Sequence, residues 1–517
     1  MAKLLVNLDA MIARADFAEL KDSEDATYDT FDKITIQHFT SEGLTGKILR
    51  KPDFQRETNH WTPEQVVSLL ECFISGDLIP SVILWKSPTY LFVIDGGHRL
   101  SVLKAWVEDD YGDELTSLRF FGDSITENQK KAAKKCRELI NAKIGSYQQF
   151  KKKVEGGVID SKISSILSRA LPVQWVKGDA DKAEASFFKI NTQGTPLDDI
   201  EQTLLEHRKR PIPISARAII RAGRGHKYWS KFTPENTFKI EQLAKELHTT
   251  LFEPEIKTPI RNLDLPLGGS KGIRTALQII IEYLSIACLT QTEKNPSIKS
   301  QNEDIGGEQT INVLQKAKKL TNRITGNDKG SLGLHPAIYY YGPSGIHSSP
   351  LFLGTARFIS EKLSNNDGDF FRKFTLVREI IETTLITHKE LIATILQKLG
   401  STKRIETYSK LINSIYVAAV NEESITESNI VDWAGLTGKI VVGSEKTKAV
   451  NFSDDTKSKI FIRDTLKHSM KCPICQGYID TNKSASYDHI TRKEDGGLGD
   501  SDNGQITHPY CNQAMKN

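Results

Sequence analysis

The chain has 517 residues, of which 38% are hydrophobic and 26% are charged. This composition excludes a disordered or fibrous protein and is typical of a globular one, and the length allows about two to four domains. Its 69 basic and 65 acidic residues nearly balance, so a surface that binds nucleic acid must come from local clustering of charge.

The cysteines do not predict a disulfide framework. Three of the six lie near the C-terminus, and Cys72, Cys136 and Cys288 are isolated in apolar or helical contexts. The N-terminus lacks the apolar region of a signal peptide. The longest apolar run, residues 276–289, is interrupted by polar residues and is too short to span a bilayer, so it predicts a buried helix. We expect a cytoplasmic protein without a membrane partner.

The N-terminal part of the chain predicts strands and helices in alternation. Residues 1–30 are polar and form no clear pattern, whereas two β-type stretches, I-T-I-Q-H-F and G-K-I-L, lie between residues 34 and 49. A helix is predicted next, with Thr62 as its N-cap, Gln65 completing a capping box and Gly76 ending it.

A strand–turn–helix unit follows. Strands are predicted at residues 82–85 and 90–94, and the second runs into D-G-G-H-R, residues 95–99, before a new helix begins. Backbone N–H groups at such a helix start can hold a phosphate, with Arg99 as a side-chain donor. The spacing is equally compatible with a tight turn in which Asp95 caps the helix.

The runs around this unit resemble a known domain. F-Q-R before the first helix, I-P at the strand entry and V-I-D-G-x-x-R at the strand end resemble the ParB/sulfiredoxin-like domain of the GmrS type, and F-x-x-I-N-T-Q-G-T-P-L extends the resemblance to about residue 210. In that family a D-G-Q-Q-R motif serves nucleotide binding and hydrolysis. The resemblance implies a site for a nucleoside triphosphate formed by Gln55, Arg56, Asp95, Gly96, Gly97, His98, Arg99 and Asn191.

This implied site departs from the family pattern. Gly97 and His98 stand where the family motif has two glutamines, so hydrolysis stays open, while binding of a nucleotide or of a DNA phosphate is expected. We interpret His98 as functional rather than as a solvated or core histidine, because it lies within the turn. Asn191 has a simpler alternative, since an Asn in a loop before Thr-Gln-Gly commonly forms a turn.

Two basic clusters lie further along the chain. The first, residues 130–153, is rich in lysine, and the second, residues 207–227, places Arg217 and Arg221 one helical turn apart. Both clusters could contact DNA phosphates. Such runs are more often solvated helix faces, and we favour that interpretation.

The middle of the chain predicts mainly helices. Apolar residues at i, i+3 and i+4 recur between residues 240 and 420. A loop at residues 334–347 with three adjacent tyrosines interrupts them, and these rings could either stack on a base or pack the loop. Residues 421–455 are polar and predict a linker with a short β-like K-I-V-V, and a helix is expected from Thr456 to His468.

The last forty-odd residues contain the strongest chemical pattern. Cys472 and Cys475 form a C-x-x-C pair, and His508 and Cys511 form an H-x-x-C pair. Two such pairs, each on a tight turn, are typical of a structural zinc site. Between and beside them lie Asp488, His489, Asn503 and Asn512.

The order of these residues resembles the HNH, or ββα-metal, nuclease family, in the subgroup whose finger is held together by a zinc ion. The resemblance implies His489 as the general base, Asn503 as the residue that orients it, and Asp488 with Asn512 as ligands of a catalytic Mg²⁺ or Mn²⁺. Oxygen ligands suit such ions, which assist phosphodiester hydrolysis. His508 stands where the family usually has Cys. The zinc pattern alone is also compatible with a ribbon that only binds nucleic acid or protein.

The predicted architecture is α+β and multidomain. It comprises a ParB/sulfiredoxin-like α+β domain at residues 1–210, a helical middle region at 211–420, the linker at 421–455 and a ββα-metal (HNH) finger at 456–517.

The combination resembles GmrSD-like, modification-dependent restriction enzymes of bacterial phage defence, and implies modified phage DNA as the partner. One nuclease motif per chain would need a homo-oligomer or two successive nicks to cut both strands. Two alternatives stay open: an HNH nuclease on unmodified DNA or RNA with a plain DNA-binding N-terminal domain, and a non-catalytic, zinc-containing DNA-binding regulator.

Overall fold

The computed structural model describes residues 4–15, 31–40, 43, 45–52, 55, 58–59, 61–121, 125–193, 199–224, 229, 231–269, 273–365, 367–438 and 451–515. The chain divides into two compact units. The first contains Met1–Arg208 with Arg224–Lys227, and the second contains Lys209–Gly223 with Tyr228–Asn517. Helices and a mixed sheet together make the protein α+β, as the sequence predicts.

The first unit is built on a mixed sheet. Its strands are β1 (Arg14–Ala15), β2 (Lys33–Thr35), β3 (Leu49–Pro52), β4 (Val82–Lys86), β5 (Leu91–Asp95) and β6 (Ala170–Val176). They are ordered β1-β3-β5-β4-β6-β2. Strand β5 lies inside the sheet, parallel to β3 and antiparallel to β4, with Leu84 opposite Val93. The residues that follow β5 therefore emerge from the middle of the sheet.

Helices cover this sheet. They are α1 (Thr45–Ile48), α2 (Pro63–Ser75), α3 (Gly97–Glu108), α4 (Leu115–Phe121), α5 (Glu127–Lys143), α6 (Tyr147–Glu155), α7 (Ser161–Ser168), α8 (Ala180–Gln193) and α9 (Asp199–Glu206). The predicted start and end of α2 are confirmed: Thr62 and Gln65 form both bonds of the capping box, and Gly76 ends the helix with φ of 92°. Buried side chains of α2, α3 and α5 pack with the sheet in one core.

Two predictions in this unit are wrong. Residues Ile36–Phe39, expected as strand, form a turn of 3-10 helix, because Thr35 and His38 satisfy each other's backbone N–H groups in a capping box. G-K-I, also expected as strand, lies in α1, and β3 begins only at Leu49. The β-branched residues favoured a strand, but these local hydrogen bonds favour the helical turn.

The second unit is helical apart from its C-terminal end. Its helices are α10 (Pro211–Ile220), α11 (Pro234–Phe252), α12 (Ile273–Ala287), α13 (Glu308–Ile324), α14 (Pro336–Tyr339), α15 (Ser349–Ser364), α16 (Gly368–Leu376), α17 (Arg378–Thr387), α18 (Lys389–Lys398), α19 (Ser401–Val420), α20 (Glu427–Trp433) and α21 (Asp454–Lys467). Strand β7 (Ser486–His489), strand β8 (Gly504–Thr507) and helix α22 (Pro509–Ala514) follow. The expected helices in the middle region and before the finger are confirmed.

The predicted linker contains structure. Helix α20 lies within residues 421–455, because Thr426 and Asn429 form a capping box and Ile430 is buried against the helical core. The β-like K-I-V-V run lies outside the described residues.

The apolar run at residues 276–289 falls mainly in α12, whose apolar side chains join the core of this unit, as predicted. None of the helices in the described part of the chain combines the length and the apolar character that crossing a membrane requires.

Candidate functional site

Four side chains at the C-terminal end form a buried cluster. Cys472, Cys475, His508 and Cys511 are at most 5% exposed, and their ligand atoms all lie within 4.8 Å of one another. Thiolates bound to one tetrahedral zinc at about 2.3 Å stand about 3.8 Å apart, so the cluster has the compactness of such a site. The four residues could hold a zinc ion.

The ring of His508 is oriented for this role. Its Nε2 lies 3.0 Å from the carbonyl oxygen of Tyr478, to which it donates, while Nδ1 lies 3.3 Å from the Sγ of Cys475 and 3.9 Å from that of Cys511. Burial lowers the pKa of His508, and hydrogen bonds from Cys475 and Cys511 lower the pKa of Cys472. A neutral imidazole whose second nitrogen is held by a carbonyl is the usual form of a metal-ligating histidine.

The segment between the two ligand pairs forms a ββα unit. Strands β7 and β8 are antiparallel, with Asp488 opposite Gln505 and His489 opposite Gly504, and α22 packs against β7. Asn512 in α22 donates from Nδ2 to the hydroxyl of Ser486 at 2.8 Å and to the carbonyl oxygen of Tyr487 at 3.0 Å.

These bonds bring Asn512 beside the strand residue next to Asp488. The Nδ2 of Asn512 is used by β7, so its Oδ1 is the atom that could ligate a cation. Asp488 is 6% exposed, and its Oδ2 accepts a hydrogen bond of 2.8 Å from Gln505. One carboxylate and one amide oxygen from two packed elements match the oxygen donors that Mg²⁺ prefers.

Asn503 holds the loop that follows His489. Its Oδ1 accepts from the backbone N–H of Thr491 at 2.7 Å, and its Nδ2 donates to the carbonyl oxygens of Thr491 and Leu498 at 3.1 and 2.8 Å. Gly497 packs here so closely that a Cβ would lie 1.9 Å from the Thr491 oxygen, so the loop requires glycine at this position. The effect predicted for Asn503 on His489 would therefore act through the loop.

A buried ion pair that the sequence did not reveal lies beside the cluster of Cys472, Cys475, His508 and Cys511. Arg378 and Glu382, both 1% exposed, form an i,i+4 pair at 2.7 Å within α17. Arg378 also donates to the carbonyl oxygens of Leu332 and Gly333, and Glu382 accepts from the backbone N–H of Tyr478 at 2.7 Å. The pair thus ties a helix of the middle region to the turn after Cys475.

Two glycines permit this close docking. A Cβ on Gly477 would lie 2.4 Å from the Nε of Arg378, and one on Gly333 would lie 2.8 Å from the Cδ2 of His508. The finger and the helices therefore pack together, and both lie in the second compact unit. Spacing i,i+4 is common on exposed helix faces, so the sequence carried no sign that the ion pair is buried.

The D-G-G-H-R turn lies where β5 leaves the sheet and α3 begins. Gly96 is the N-cap with φ of 92°, and a Cβ there would lie 2.4 Å from the Cγ1 of Val82. Asp95 does not cap the helix, contrary to one alternative. Its Oδ2 instead accepts from the guanidinium of Arg99 at 2.7 Å, and Arg99 also donates to the carbonyl oxygen of Ser81 at 3.1 Å. Among the described residues, no side chain caps the start of α3.

Other residues of the implied nucleotide site surround this helix start. The side chain of Gln55 lies 3.6 Å from where a Cβ on Gly97 would be, and the ring of His98 stacks on that of Trp61 with centroids 5.4 Å apart. Arg56 lies outside the described residues. Asn191 lies in the last turn of α8, not in a loop as expected, and its side chain is outside the described part of the chain.

A buried charge network behind Gln55 also went unpredicted. Asp9 pairs with Arg14 at 2.6 Å and with Lys51 at 2.8 Å, and all three are at most 9% exposed. Arg14 donates to the carbonyl oxygen of Gln55. The polar N-terminal residues showed no periodicity that could have indicated burial.

The other candidate surfaces are less suited to nucleic acid. Arg217 is 8% exposed and so is not available to a phosphate. Tyr339, Tyr340 and Tyr341 are at most 1% exposed and pack in the core, which decides against stacking on a base. Several lysines of the first basic cluster form ion pairs with acidic residues, which favours the solvated-face interpretation: Lys130, Lys135, Lys143, Lys151 and Lys153.

Comparison with known proteins bears on the first unit. Residues 29–206 match the family model described as GmrSD restriction endonuclease, N-terminal domain. This match supports a GmrSD-like family, a restriction-type defence nuclease, and DNA as the substrate that such a family implies. No curated protein and no solved structure matches the chain.

Proposed function

We propose that this chain is a metal-dependent DNA endonuclease of bacterial anti-phage defence, and that its cutting site is the ββα unit at the C-terminus. The observation that carries the proposal is the position of Asn512. The Nδ2 of Asn512 donates to the carbonyl oxygen of Tyr487 in β7, the residue directly before Asp488 and His489. Helix α22, which carries Asn512, also contains Cys511 of the four-ligand cluster. The family match of the N-terminal unit supports a restriction role for the whole chain.

In this proposal each residue has a separate task. His489 takes a proton from the attacking water, since histidine is the side chain most often used as a general base. Asp488 and the Oδ1 of Asn512 would hold Mg²⁺ or Mn²⁺, which offsets charge on the scissile phosphate. Asn503 keeps the loop after His489 in place. A structural zinc ion, which stabilises the fold of the finger, would be held by Cys472, Cys475, His508 and Cys511.

The N-terminal unit would control this activity by sensing a nucleotide or a DNA modification. The start of α3 supports an anion site, because its first N–H groups face no side-chain cap from the described residues. Arg99 and His98 lie in the same turn, with Arg99 already paired to Asp95. Binding of a nucleotide would compete with this ion pair. Each chain carries one cutting site, so a double-strand cut would use a homodimer or two nicks.

The test is a cleavage matrix with the purified full chain. Modified phage DNA, unmodified DNA and RNA are each incubated with and without Mg²⁺ and with and without ATP or GTP. The expected result is Mg²⁺-dependent cleavage that is stronger on modified DNA and changes with nucleotide. Equal cleavage of modified and unmodified substrates would favour the plain nuclease, and no cleavage with any metal would favour the non-catalytic regulator.

A further inference from the structure

Asp488 is held across the hairpin by Gln505, a residue that has no part in the proposed function. The register of β7 and β8 places the two residues directly opposite each other. The side-chain amide of Gln505 donates from Nε2 to the Oδ2 of Asp488 at 2.8 Å. An ionised carboxylate only accepts hydrogen bonds, so the nitrogen of the amide, and not its oxygen, faces Asp488.

This bond fixes the direction of a carboxylate that is itself buried. Asp488 is 6% exposed, and Gln505 is half-buried. Directly opposite residues of an antiparallel pair have Cβ atoms about 5 Å apart, so the bond joins two side chains on a fixed frame and limits rotation of the carboxylate. The N–H donor on Oδ2 would repel a cation, so a cation would be ligated through Oδ1.

The other proposed metal ligand is held in the same way. Asn512 uses its amide nitrogen on the hydroxyl of Ser486 and the carbonyl oxygen of Tyr487. An amide donates without adding a positive charge. These bonds therefore hold both ligands in place without weakening their attraction for a cation, which a Lys or Arg at position 505 would weaken.

We propose that Gln505 is a positioning residue for the catalytic metal, which orients Asp488 so that its carboxylate and the Oδ1 of Asn512 bind one Mg²⁺ or Mn²⁺ together. This inference rests on the proposed function, because it takes Asp488 as a metal ligand. Substituting a residue that hydrogen-bonds to a ligand typically costs about 10–100-fold in metal affinity or activity. Gln505 thus sets the Mg²⁺ concentration at which the site fills, without contacting the cation or the substrate.

A purely structural bond would have a different effect. Loss of the donor would leave a buried carboxylate oxygen unsatisfied and would lower the stability of the finger. The protein that still folded would bind the cation as before. Metal affinity of the folded protein therefore separates a positioning role of Gln505 from a structural one.

The experiment measures Mn²⁺ binding by calorimetry to the full chain with zinc bound and without DNA, so that cleavage plays no part. Gln505→Met keeps the length of the side chain and removes the donor. Gln202→Met is the matched control, because Gln202 donates to the Oε1 of Glu206, also at 2.8 Å, on an exposed helix face of the first unit. Asp488→Asn shows which binding belongs to the proposed site. Zinc content and melting temperature are measured for every variant.

We expect the native chain to bind one Mn²⁺ that Asp488→Asn removes. Gln505→Met should bind it about tenfold or more weakly, with zinc content retained and Gln202→Met unchanged. The Mg²⁺ concentration for half-maximal DNA cleavage should rise by the same factor. If Gln505→Met does not fold, Gln505→Val, which favours a strand and also lacks the donor, should show the same weakening.

Two results would overturn the inference, and they differ in what else they remove. Equal Mn²⁺ affinity in the native protein and in the folded Gln505 variants would overturn the role of Gln505 and leave the proposed nuclease standing. A native chain without Mn²⁺ binding that depends on Asp488 would overturn the proposed metal site together with the role of Gln505.

Discussion

His489 ends β7 at the point where a loop tied by Asn503 begins, so its ring position depends on both elements. Sequence order was enough to propose this residue, because an Asp-His dipeptide between two metal-ligand pairs is typical of the ββα-metal nucleases. The bonds made by Asn503 could not be read from the sequence, since they run to the backbone of residues distant along the loop.

His489→Ala should remove the proton acceptor while leaving the fold intact. We expect cleavage to fall by about 10²–10⁴-fold, which is the usual contribution of a positioned general base. The measurement is the single-turnover rate with Mg²⁺, accompanied by zinc content and melting temperature. His468→Ala is the control, because His468 is exposed at the end of α21. Full activity in His489→Ala would remove the catalytic assignment.

His335 makes the stability of the second unit depend on pH. Burial and the nearby charges of Lys389 and Arg378 lower its pKa to about 3, so between pH 6.5 and 3 the unfolded chain binds a proton that the folded chain does not. Stability should therefore fall as the pH falls below 6.5, by about 1.4 kcal/mol per pH unit, or about 2 kcal/mol at pH 5.

The measurement is chemical unfolding at pH 7 and pH 5 of the native protein and of His335→Asn, in which Asn can keep the N-cap. The variant should lose less stability between the two pH values. Identical losses would show that His335 does not titrate on unfolding.

At the scale of elements, the turn from β5 into α3 depends on Gly96. Its positive φ is strained for any other residue, and the space for a side chain is occupied by Val82. The sequence predicted the strand, the turn and the helix correctly. It could not decide whether Asp95 caps α3 or pairs with Arg99, because both arrangements use the same spacing.

Gly96→Ala should therefore cost more than backbone strain alone. We expect a loss of about 2–4 kcal/mol, from the left-handed conformation plus the contact with Val82. Gly157→Ala isolates the strain, because Gly157 has φ of 76° with nothing within 4 Å of a Cβ, and should cost about 1–2 kcal/mol. The measurement is the free energy of unfolding by denaturant. Equal losses in the two variants would contradict the close approach.

At the scale of the whole molecule, the finger is part of the helical unit. The sequence predicted a linker followed by a separate nuclease domain, whereas Arg378, Glu382 and Tyr478 join the two regions through buried bonds. Whether the first unit controls cutting, as proposed, is tested by the cleavage matrix.

Glu382→Ala should disrupt the second unit as a whole. It leaves Arg378 buried without its partner, which costs about 3–5 kcal/mol, and it removes the acceptor for the turn after Cys475. We expect a lower unfolding midpoint and faster loss of zinc to a chelator. Asp369→Ala breaks an exposed pair with Lys373 and should change neither quantity. Unchanged zinc retention in Glu382→Ala would mean that the ion pair does not support the cluster.

The sequence by itself determined the local features of this protein: the capping box of α2, the strand into D-G-G-H-R, the helices of the middle region, and the four ligands with Asp488 and His489 between them. These local features depend on residues that are close together in the chain, and their spacing can be read directly from the sequence. Only the tertiary structure decided which charges are buried, that the three tyrosines pack inside, and that the finger docks on α17. Burial depends on residues far apart in sequence, and the chemistry of a side chain does not reveal which of them it will meet.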